Sequence, residues 1–462
     1  MEKYSFIKTA KELLSDSSFH GIPRIIKTRT VIMKVVWSIL TLVAVFFCVN
    51  GIMNTIFDYL SFKTISAFET IVELPSLFPA ITVCNLNPFQ TLYGANLVKT
   101  LMQFTEGKNF NDLEKRLIIM RFSNSMNYSA KRNLSLNLKD TLVTCRFNSK
   151  DCTWTDFEWY FDFFYGNCYR FNNDKNKPKT ISQTGNAFGL HLELFVPNSE
   201  LNPDFIPKSG YQIMIKNQSD SSSINEGYEV APGFETNFEI SRHFSYKLSR
   251  PYSDCLKESE SFDSKFYREI INLNKSYQQS DCFFLCLNQL ASQSCNSLIN
   301  SSLNFNINLS YSTDLLAFSK CYFNYSTYWL NNNFQAMCSQ FCPIECSRQA
   351  YSVATSFSKF PMLKYAADKM NNLNARFGGY DFLKNSNFLA VNIYYKDLTY
   401  SIIREEPKTG IFDLISNIGG LLGLFVGMSL LSLGEILEIL FEMIASPFLN
   451  SKSKRNRISV RN

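Results

Sequence analysis

The chain has 462 residues, of which 45% are hydrophobic and 15% aromatic, so it exceeds one typical core and is too apolar to be disordered. Its formal net charge is +6. Residues 1–34 carry seven Lys or Arg against three acids, and residues 451–462 carry five against none. The basic excess therefore sits at the two ends, and the slightly acidic middle of the chain argues against a nucleic-acid-binding protein.

Two apolar stretches are long enough to cross a membrane, which takes roughly 20 residues. The first runs from Val31 to Phe57 and the second from Ile411 to Leu449. Largely polar sequence precedes the first stretch and no small-residue cleavage site ends it, so it does not resemble a signal peptide. We predict two transmembrane helices, at residues 32–57 and 410–446.

The basic segments beside these spans predict the topology, because Lys and Arg accumulate on the cytosolic side. Residues 1–31 are then a cytosolic N-terminal segment, residues 58–409 an extracellular domain, and residues 447–462 a basic cytosolic tail. The predicted fold class is an α+β membrane protein. Its two transmembrane helices flank a large disulfide-rich extracellular domain of mixed β and α structure.

Sequons and cysteines both favour an extracellular location for residues 58–409. Twelve of the thirteen cysteines fall there, and the other, Cys48, lies in the first span. An even number of cysteines in an oxidising compartment predicts disulfide bonds, six in this chain. The candidate glycosylation sites are Asn127, Asn133, Asn217, Asn274, Asn300, Asn308 and Asn324.

The spacing of the cysteines suggests how they pair. Cys282 and Cys286 are four residues apart and so share one helix face, and Cys338, Cys342 and Cys346 repeat that step. Two such faces can be joined as an antiparallel ladder that nests around a shorter bridge. A metal site is the alternative, but extracellular thiols are usually oxidised. The predicted pairs are Cys286–Cys338, Cys282–Cys342, Cys255–Cys346, Cys295–Cys321, Cys145–Cys152 and Cys84–Cys168.

The extracellular segment contains patterns of both strands and helices. Leu97 to Phe122 is typical of a helix pair, and Leu256 to Asn296 is also typical of helices. Short β-rich runs bounded by Pro, Asn and Gly predict strands. These runs are Phe78 to Val83, Gly189 to Val196, Tyr211 to Ile215 and Phe388 to Tyr395.

Motifs for enzyme chemistry are missing from the sequence. The chain has three histidines, of which His20 lies in the N-terminal segment, while His191 and His243 are far apart. There is no HExxH, GxSxG, Walker or CxxC motif. We therefore predict that the protein is not an enzyme and has neither a metal site nor a cofactor.

The second span contains acidic groups that an ordinary membrane anchor does not need. An unpaired ionisable side chain at membrane depth costs at least ~2.5 kcal/mol. Glu435, Glu438 and Glu442 share a helix face and would form carboxylate rings along a pore in a symmetric oligomer. The alternative is that the chain is already cytosolic from Glu435 onward. The polar residues of this stretch are Asp413, Asn417, Ser429, Glu435, Glu438 and Glu442.

Small residues in the second span predict a break in its helix. Gly419, Gly423 and Gly427 recur every four residues and therefore line one face, where helices can approach closely. Glycine and serine in Gly427-Met428-Ser429 allow the backbone to leave the helix and to present carbonyls to a water-filled lumen. We interpret these three residues, the filter tract below, as a selectivity filter. A simple kink or packing site is the alternative.

These features together resemble the degenerin/epithelial sodium channel superfamily, nearly from end to end. The matching motifs are His20-Gly21, the run FPAITVCNLNPF (Phe78 to Phe89), VAPGFET (Val230 to Thr236), the cysteine ladder, and NIGGLLGLFVGMS before the acids of the second span. The resemblance implies a trimeric, cation-selective channel of the plasma membrane with both termini in the cytosol. Sodium is then the main permeant ion, and amiloride is expected to block the channel.

The resemblance also implies roles for particular residues. The filter tract is the pore constriction, and His20 and Gly21 form the cytosolic gating motif. Ser416 occupies the small-residue position at which bulky side chains hold such channels open. Asn417 stands where relatives often have aspartate, so Asp413 is expected to supply charge at the outer mouth, where Ca²⁺ could bind.

Within the superfamily, the chain is most similar to the cnidarian peptide-gated sodium channels, which RFamide neuropeptides open. Acid-sensing relatives carry a histidine pair just after the first span, and residues 58–70 contain no histidine. We therefore expect an extracellular peptide agonist, a lipid membrane and related subunits as partners, in a homo- or heterotrimer. The alternatives are a proton-gated or constitutively open channel. A disulfide-rich adhesion or receptor ectodomain with two membrane anchors is an alternative of another class, but it leaves the intramembrane acids unexplained.

Overall fold

The computed structural model describes residues 20–429, except 107–109, 197–207, 221–226, 258–259, 273–275, 296–298, 301–307, 310–314, 363 and 366–387, and then 431–432, 434–435, 437–438 and 441. Predictions about residues 1–19, Asn274, Glu442 and the tail 447–462 therefore lie outside the described residues. The chain divides into two compact units. We call Met1–Ile65 with Glu405–Asn462 the helical unit, and Ser66–Arg404 the β-rich unit.

The described helices and strands alternate along the chain. The α-helices are α1 (Ile22–Lys27), α2 (Val31–Leu60), α3 (Leu92–Thr105), α4 (Asp112–Ser125), α5 (Tyr128–Arg132), α6 (Leu138–Thr141), α7 (Lys265–Asn272), α8 (Gln279–Ser294), α9 (Leu315–Asn331), α10 (Phe334–Cys338) and α11 (Ile411–Val426). The strands are β1 (Thr64–Val72), β2 (Ser76–Leu77), β3 (Ala80–Asn85), β4 (Leu142–Phe147), β5 (Lys150–Asp151), β6 (Phe157–Asp162), β7 (Gly166–Phe171), β8 (Thr180–Ile181), β9 (Leu190–Phe195), β10 (Tyr211–Lys216), β11 (Tyr228–Val230), β12 (Phe234–Tyr246), β13 (Ile299–Asn300), β14 (Asn308–Leu309), β15 (Ser347–Lys359) and β16 (Phe388–Pro407).

Helix α2 is the element of the helical unit that fits a membrane span. It has 30 residues, its most apolar window has a mean hydropathy of 2.4, and only 6% of that window is buried. Among the described residues, no other helix is both long and apolar enough to cross a membrane; α11 is apolar but has 16 residues. The predicted first span, residues 32–57, lies inside α2.

Two sheets form the framework of the β-rich unit. One sheet has seven strands in the order β15-β12-β16-β9-β4-β5, with β1 also paired to β16, and the other has the order β11-β10-β3-β7-β6. Strands β12 and β16 run parallel, whereas β12 and β15 pair antiparallel along their full 13-residue length. The connection between the parallel strands is long because β15 and the segment after it intervene.

The main hydrophobic core of the β-rich unit joins the two sheets. Phe78, Ile81 and Ile213 belong to or flank the five-stranded sheet, and Leu192 and Val391 belong to the seven-stranded sheet. All five are fully buried. The β-branched and aromatic runs that predict strands are thus the residues that fill this core.

Six disulfide bonds join the pairs that the cysteine spacing predicts. Cys286 and Cys282 of helix α8 bind Cys338 and Cys342, and Cys255 binds Cys346. These three rungs enclose successively 52, 60 and 91 residues of sequence separation, so they nest without crossing. The other bridges are Cys295–Cys321, Cys145–Cys152 and Cys84–Cys168.

The predicted secondary structure of the β-rich unit is confirmed in type. All four predicted strands exist as β3, β9, β10 and the first part of β16. The predicted helix pair is α3 and α4, and α7 and α8 occupy the second helical segment. Strand β16 extends twelve residues past the predicted end at Tyr395, to Pro407.

Candidate ion pathway

The side chain of Asp413 caps the N-terminal end of helix α11. The carboxylate Oδ2 of Asp413 accepts a hydrogen bond from the backbone N–H of Gly410 at 2.9 Å. A negative charge in the first turn also interacts favourably with the helix dipole. Asp413 therefore has a structural role at this helix end, and its exposed carboxylate keeps it available for the predicted role at the outer mouth.

The two faces of α11 differ in the size of their residues. Leu414, Ile418, Leu421 and Phe425 are half-buried and face α2. There the Phe425 ring stacks on that of Phe47, with centroids 6.4 Å apart. The opposite face is exposed and carries small residues, so in this chain it has room for close helix approach. The small residues of that face are Ser416, Gly419, Gly420 and Gly423, and the exposed Phe412 lies one turn before them.

The helix break predicted at the filter tract is present. Gly427 ends α11 with φ +75°, in the left-handed region that glycine adopts at low cost. Its N–H donates to the carbonyl of Gly423 at 3.1 Å, the hydrogen bond of a left-handed helix cap. Met428 and Ser429 are also non-helical. The N–H of Met428 donates to the carbonyl of Leu422 at 3.2 Å, so the hydrogen-bond ladder of α11 ends within the tract.

Ser429 starts the helical segment that follows the break. Its Oγ accepts from the N–H of Ser432 at 3.3 Å, and the Oγ of Ser432 accepts from the N–H of Ser429 at 3.1 Å. This reciprocal pair has the geometry of a capping box with serine at both ends. The tract therefore ends one helix and begins the next within three residues.

The histidine-glycine motif lies against the filter tract. The backbone N–H of His20 donates to the carbonyl of Val426 at 3.3 Å. A Cβ placed on Gly427 would overlap the imidazole ring of His20, and one placed on Gly21 would overlap the side chain of Thr41 in α2. Both glycines are required for this close packing. The structure thus brings together two of the motifs that the sequence singles out, which lie at opposite ends of the chain.

The remaining predicted pathway residues lie on accessible parts of the helical unit. Asn417 and Glu438 are exposed, and Glu435 is half-buried in the helical residues after the break. Glu442 is outside the described residues. Their predicted roles in a pore stay predictions.

The predicted glycosylation sites differ in accessibility. Asn127, Asn133 and Asn324 are exposed, and Asn127 also caps α5 by accepting from the N–H of Ala130 at 2.9 Å. Asn217 is half-buried. Asn300 and Asn308 lie opposite each other in the two-stranded β13–β14 sheet.

His191 belongs to a buried polar network, which the sequence did not indicate. Its Nδ1 lies 2.6 Å from the side-chain oxygen of Asn392, and its Nε2 lies 3.5 Å from Glu193. Glu193 in turn accepts from the hydroxyls of Thr144 and Tyr365, both at 2.6 Å. No group of three His, Cys, Asp or Glu side chains is arranged to hold a metal ion in the described part of the chain. The network therefore stabilises the middle of the seven-stranded sheet.

A second buried charge lies at Arg242, in the middle of β12. Its side chain is 3% exposed, forms an ion pair with Glu73 after β1, and lies over the ring of Tyr400 at 4.9 Å. Burial raises the pKa of Glu73, but the N–H of Leu77 and the Arg242 charge lower it more, so the net shift is downward. The ion pair holds β1 against the edge of the core.

Comparison with known proteins identifies the family. The family model described as "Amiloride-sensitive sodium channel" matches residues 13–439, which include the first apolar stretch, the whole β-rich unit and most of the second apolar stretch. The disulfide-rich, β-rich unit is the extracellular domain of this family, whose members are plasma-membrane channels.

Three curated relatives illustrate the breadth of the match. The epithelial sodium channel subunit gamma of Pelodiscus sinensis is 25% identical, over 92% of this chain and 78% of its own. The acid-sensing ion channel 4-B of Danio rerio is 25% identical, over 97% and 79%. The FMRFamide-activated amiloride-sensitive sodium channel of Cornu aspersum is 23% identical, over 97% and 85%. The chain therefore belongs to the amiloride-sensitive sodium channel family.

Proposed function

We propose that this chain is a subunit of a trimeric sodium channel that an extracellular RFamide-type peptide opens and amiloride blocks. The second transmembrane span consists of α11, the filter tract and the helical residues after it. Helix α11 alone spans about 24 Å, less than the roughly 30 Å of a bilayer core, so the residues after the break are needed. Both chain ends lie in the cytosol.

The observation that carries the proposal is the break at Gly427 with His20 packed against it. A backbone that leaves the helix inside a membrane is tolerated where it lines a water-filled cavity, because its polar groups need partners. In the proposed trimer the face formed by Ser416, Gly419, Gly420 and Gly423 turns toward the axis. The Glu435 and Glu438 carboxylates then follow the filter tract along the pathway and favour cations.

Two observations support peptide gating. A relative whose name gives activation by FMRFamide is 23% identical, over 97% of this chain and 85% of its own length. Residues 58–70, where acid-sensing channels resembling this chain have a histidine pair, contain none. Proton gating is the second candidate, supported by the similarity to the acid-sensing relative.

Current recording from cells that express the full chain tests the proposal. The chain is expressed alone and with candidate sister subunits, and sodium currents are recorded during pulses of RFamide peptides and of acid. We expect a peptide-evoked inward current that amiloride blocks. The control is the Gly427→Val variant, compared at equal surface expression. If ions pass the filter tract of this chain, this variant should abolish the current or change its ion selectivity.

Other outcomes would contradict particular parts of the proposal. A current evoked by acid but by no peptide would contradict peptide gating and favour the proton-gated candidate. A current without any stimulus would indicate a constitutively open channel. A Gly427→Val channel with unchanged current and ion selectivity would remove the filter tract from the pathway.

A further inference from the structure

The β-rich unit contains a cavity that the proposed pathway does not use. Its walls are the ends of strands β12 and β15, the turn that follows β10, and the segment that precedes helix α8. It has a volume of about 220 Å³ and adjoins a second cavity of about 430 Å³, with which it shares Asn217, Ser276, Tyr277, Glu345 and Ser347. We call the pair the junction cavity. Its size lies within the range of sites for small ligands, roughly 300–1,000 Å³.

Two carboxylates line the first part of the junction cavity. Asp220 is only 8% exposed, and its Oδ1 accepts from the hydroxyl of Ser276 at 2.7 Å. Glu345 accepts from the backbone N–H of Gln279 at 3.1 Å. Neither carboxylate forms an ion pair with a Lys, Arg or His side chain among the described residues, and Arg170 reaches only the backbone carbonyl of Asp220. Partly desolvated negative charges without a cationic partner favour a cation in the adjoining space.

Arg348 also lines the cavity, but its position in the sheet turns its charge away. It pairs with Ser245, whereas Phe244 pairs with Gln349 and Tyr246 with Ser347. Paired residues share a face of the sheet and successive residues alternate between faces. The side chain of Arg348 therefore lies on the face of the sheet opposite Phe244 and Tyr246, so its charge is directed away from these two rings.

Aromatic rings border the same space. The rings of Phe244 and Tyr246 are nearly parallel, with centroids 6.3 Å apart. Tyr277 donates its hydroxyl hydrogen to the carbonyl of Pro343 at 2.7 Å, which fixes its ring on the other wall. Burial and the negative charge of Glu345 raise the pKa of Tyr277, so it remains a neutral donor. Two guanidinium groups of the chain already lie near these rings, that of Arg242 at 5.3 Å from the Phe244 centroid and that of Arg404 at 5.8 Å from the Tyr246 centroid. The ring surface that remains can stack on an aromatic group of a ligand.

The second part of the cavity, which Glu345 also lines, adds two lysines. Lys175 and Lys257 line it, beside Leu256 and Ile271. A ligand that places a cation between Asp220 and Glu345 can therefore direct carbonyl oxygens toward the lysines. A peptide with an arginine next to an aromatic residue has this distribution of charge, ring and carbonyl groups.

We propose that the junction cavity binds the arginine and the neighbouring aromatic residue of a cationic peptide. The proposal rests on the peptide-gated function above and assigns its agonist to this site. The guanidinium lies between the carboxylates of Asp220 and Glu345, and the ring packs on Phe244 and Tyr246. Strand β12, which carries both rings, pairs with β16 along its length, and β16 ends four residues before helix α11 begins. A peptide in the cavity thus contacts the strand beside the one that leads to α11.

Direct binding to the purified full-length channel tests the site separately from gating. The probes are fluorescently labelled Phe-Met-Arg-Phe-amide and its analogue with neutral citrulline in place of arginine. We expect Asp220→Asn with Glu345→Gln to weaken binding of the arginine peptide about tenfold or more, since each charge-assisted contact is lost. The same variant should leave binding of the citrulline peptide unchanged. Asp254→Asn, which alters an exposed carboxylate paired with Arg250, is the matched control and should bind like the wild type.

The outcomes separate this proposal from the proposed function. Equal affinity of wild type and double variant for the arginine peptide would overturn the site, and so would absence of binding to the wild type. An equal loss of affinity for both peptides would indicate a structural effect and would also overturn it. Binding that depends on the two carboxylates but evokes no current would support the site and contradict peptide gating. Phe244→Leu, which keeps an apolar side chain, should weaken both peptides by a smaller factor.

Discussion

The backbone N–H of His20 donates to the carbonyl of Val426 at 3.3 Å, and the imidazole of His20 fills the space beside Gly427. The segment before the first span is therefore tied to the residue at which α11 ends. Any movement that separates His20 from α11 must break this hydrogen bond and expose the backbone of Gly427. This couples the proposed gating motif to the proposed filter within one chain.

The first prediction concerns that contact. Gly427→Ala should reduce or abolish current, because the residue has φ +75° and the new methyl group would overlap the His20 ring. Much of the loss should disappear in the His20→Ala background, in which the space is open. The two substitutions should therefore be non-additive by about 0.5–3 kcal/mol in a double-mutant cycle of open probability. Additive effects at matched surface expression would contradict the contact.

The second prediction concerns Ser416, on the exposed small-residue face of α11. Ser416→Cys should react faster with a charged thiol reagent when the agonist is present, and the added bulk should hold the channel open. Overpacking a tight helix crossing costs ~1–3 kcal/mol, and here the cost falls on the closed state. Ile418→Cys, on the face toward α2, is the matched control and should react slowly in both states. Agonist-independent modification of Ser416→Cys without standing current would remove Ser416 from the gate.

The third prediction concerns the ion pair of Glu73 and Arg242. Glu73→Gln leaves a buried arginine uncompensated; loss of a buried partner costs 3–5 kcal/mol, and because Glu73 is one-third exposed we expect about 1–3 kcal/mol. The thermal midpoint of the purified channel should fall accordingly. Glu69→Gln, at an exposed position of strand β1 four residues before Glu73, should leave it unchanged. An equal midpoint for both variants would contradict the role of the pair.

The pH dependence of that difference has a definite sign. The pKa of Glu73 is lowered in the folded protein, so its contribution is fully present above the unfolded value of about 4.3. It is lost as the pH falls from there through the lower folded pKa. The stability difference between wild type and Glu73→Gln should therefore be constant near neutrality and shrink in acid. A difference that grows below about pH 4 would argue against the lowered pKa.

The fourth prediction compares two disulfides. Replacement of Cys84 and Cys168 by serine opens a loop with a sequence separation of 84, whereas replacement of Cys145 and Cys152 opens one of 7. On the chain-entropy account, the first change should destabilise the protein by about 2 kcal/mol more than the second. Thermal unfolding under non-reducing conditions measures the difference. Mass mapping should find all four of these cysteines oxidised in the wild type.

Local patterns account for the parts of this protein that the sequence predicts correctly. The step of four residues between Cys282 and Cys286 is close to a helical period, and the apolar runs of β9 and β10 fill the core, so both follow from neighbouring residues. Strand β15 has few large apolar residues and is mostly exposed. No local pattern of apolar residues therefore indicates where this strand begins and ends. The alternation of Phe238 and Ile240 in β12 is interrupted by Arg242, whose burial depends on Glu73, 169 residues away.

The candidate pathway likewise has features that local sequence patterns predict and features that they do not. Glycine spacing and the polar residues of the second span predict where the helix breaks, because both act on the local backbone. The contact of His20 with Gly427 joins residues that no sequence period relates. The junction cavity is likewise assembled from separate segments, in which Asp220, Ser276 and Glu345 meet through the fold.

The outermost rung of the cysteine ladder restricts how the helices α7 to α10 can move. Everything between Cys255 and Cys346 joins the rest of the chain at two points whose Cα atoms are 4.9 Å apart. The rung therefore keeps the two ends of this segment together at the ends of β12 and β15, where the N–H of Lys247 also donates to the carbonyl of Cys346 at 2.7 Å. Away from the rung, the hydroxyl of Ser276 donates to Asp220, and the Arg121 guanidinium lies 3.8 Å from the centroid of the Tyr322 ring. Any displacement of the cavity wall that carries Tyr277 and Glu345 relative to Phe244 and Tyr246 would therefore have to break these contacts.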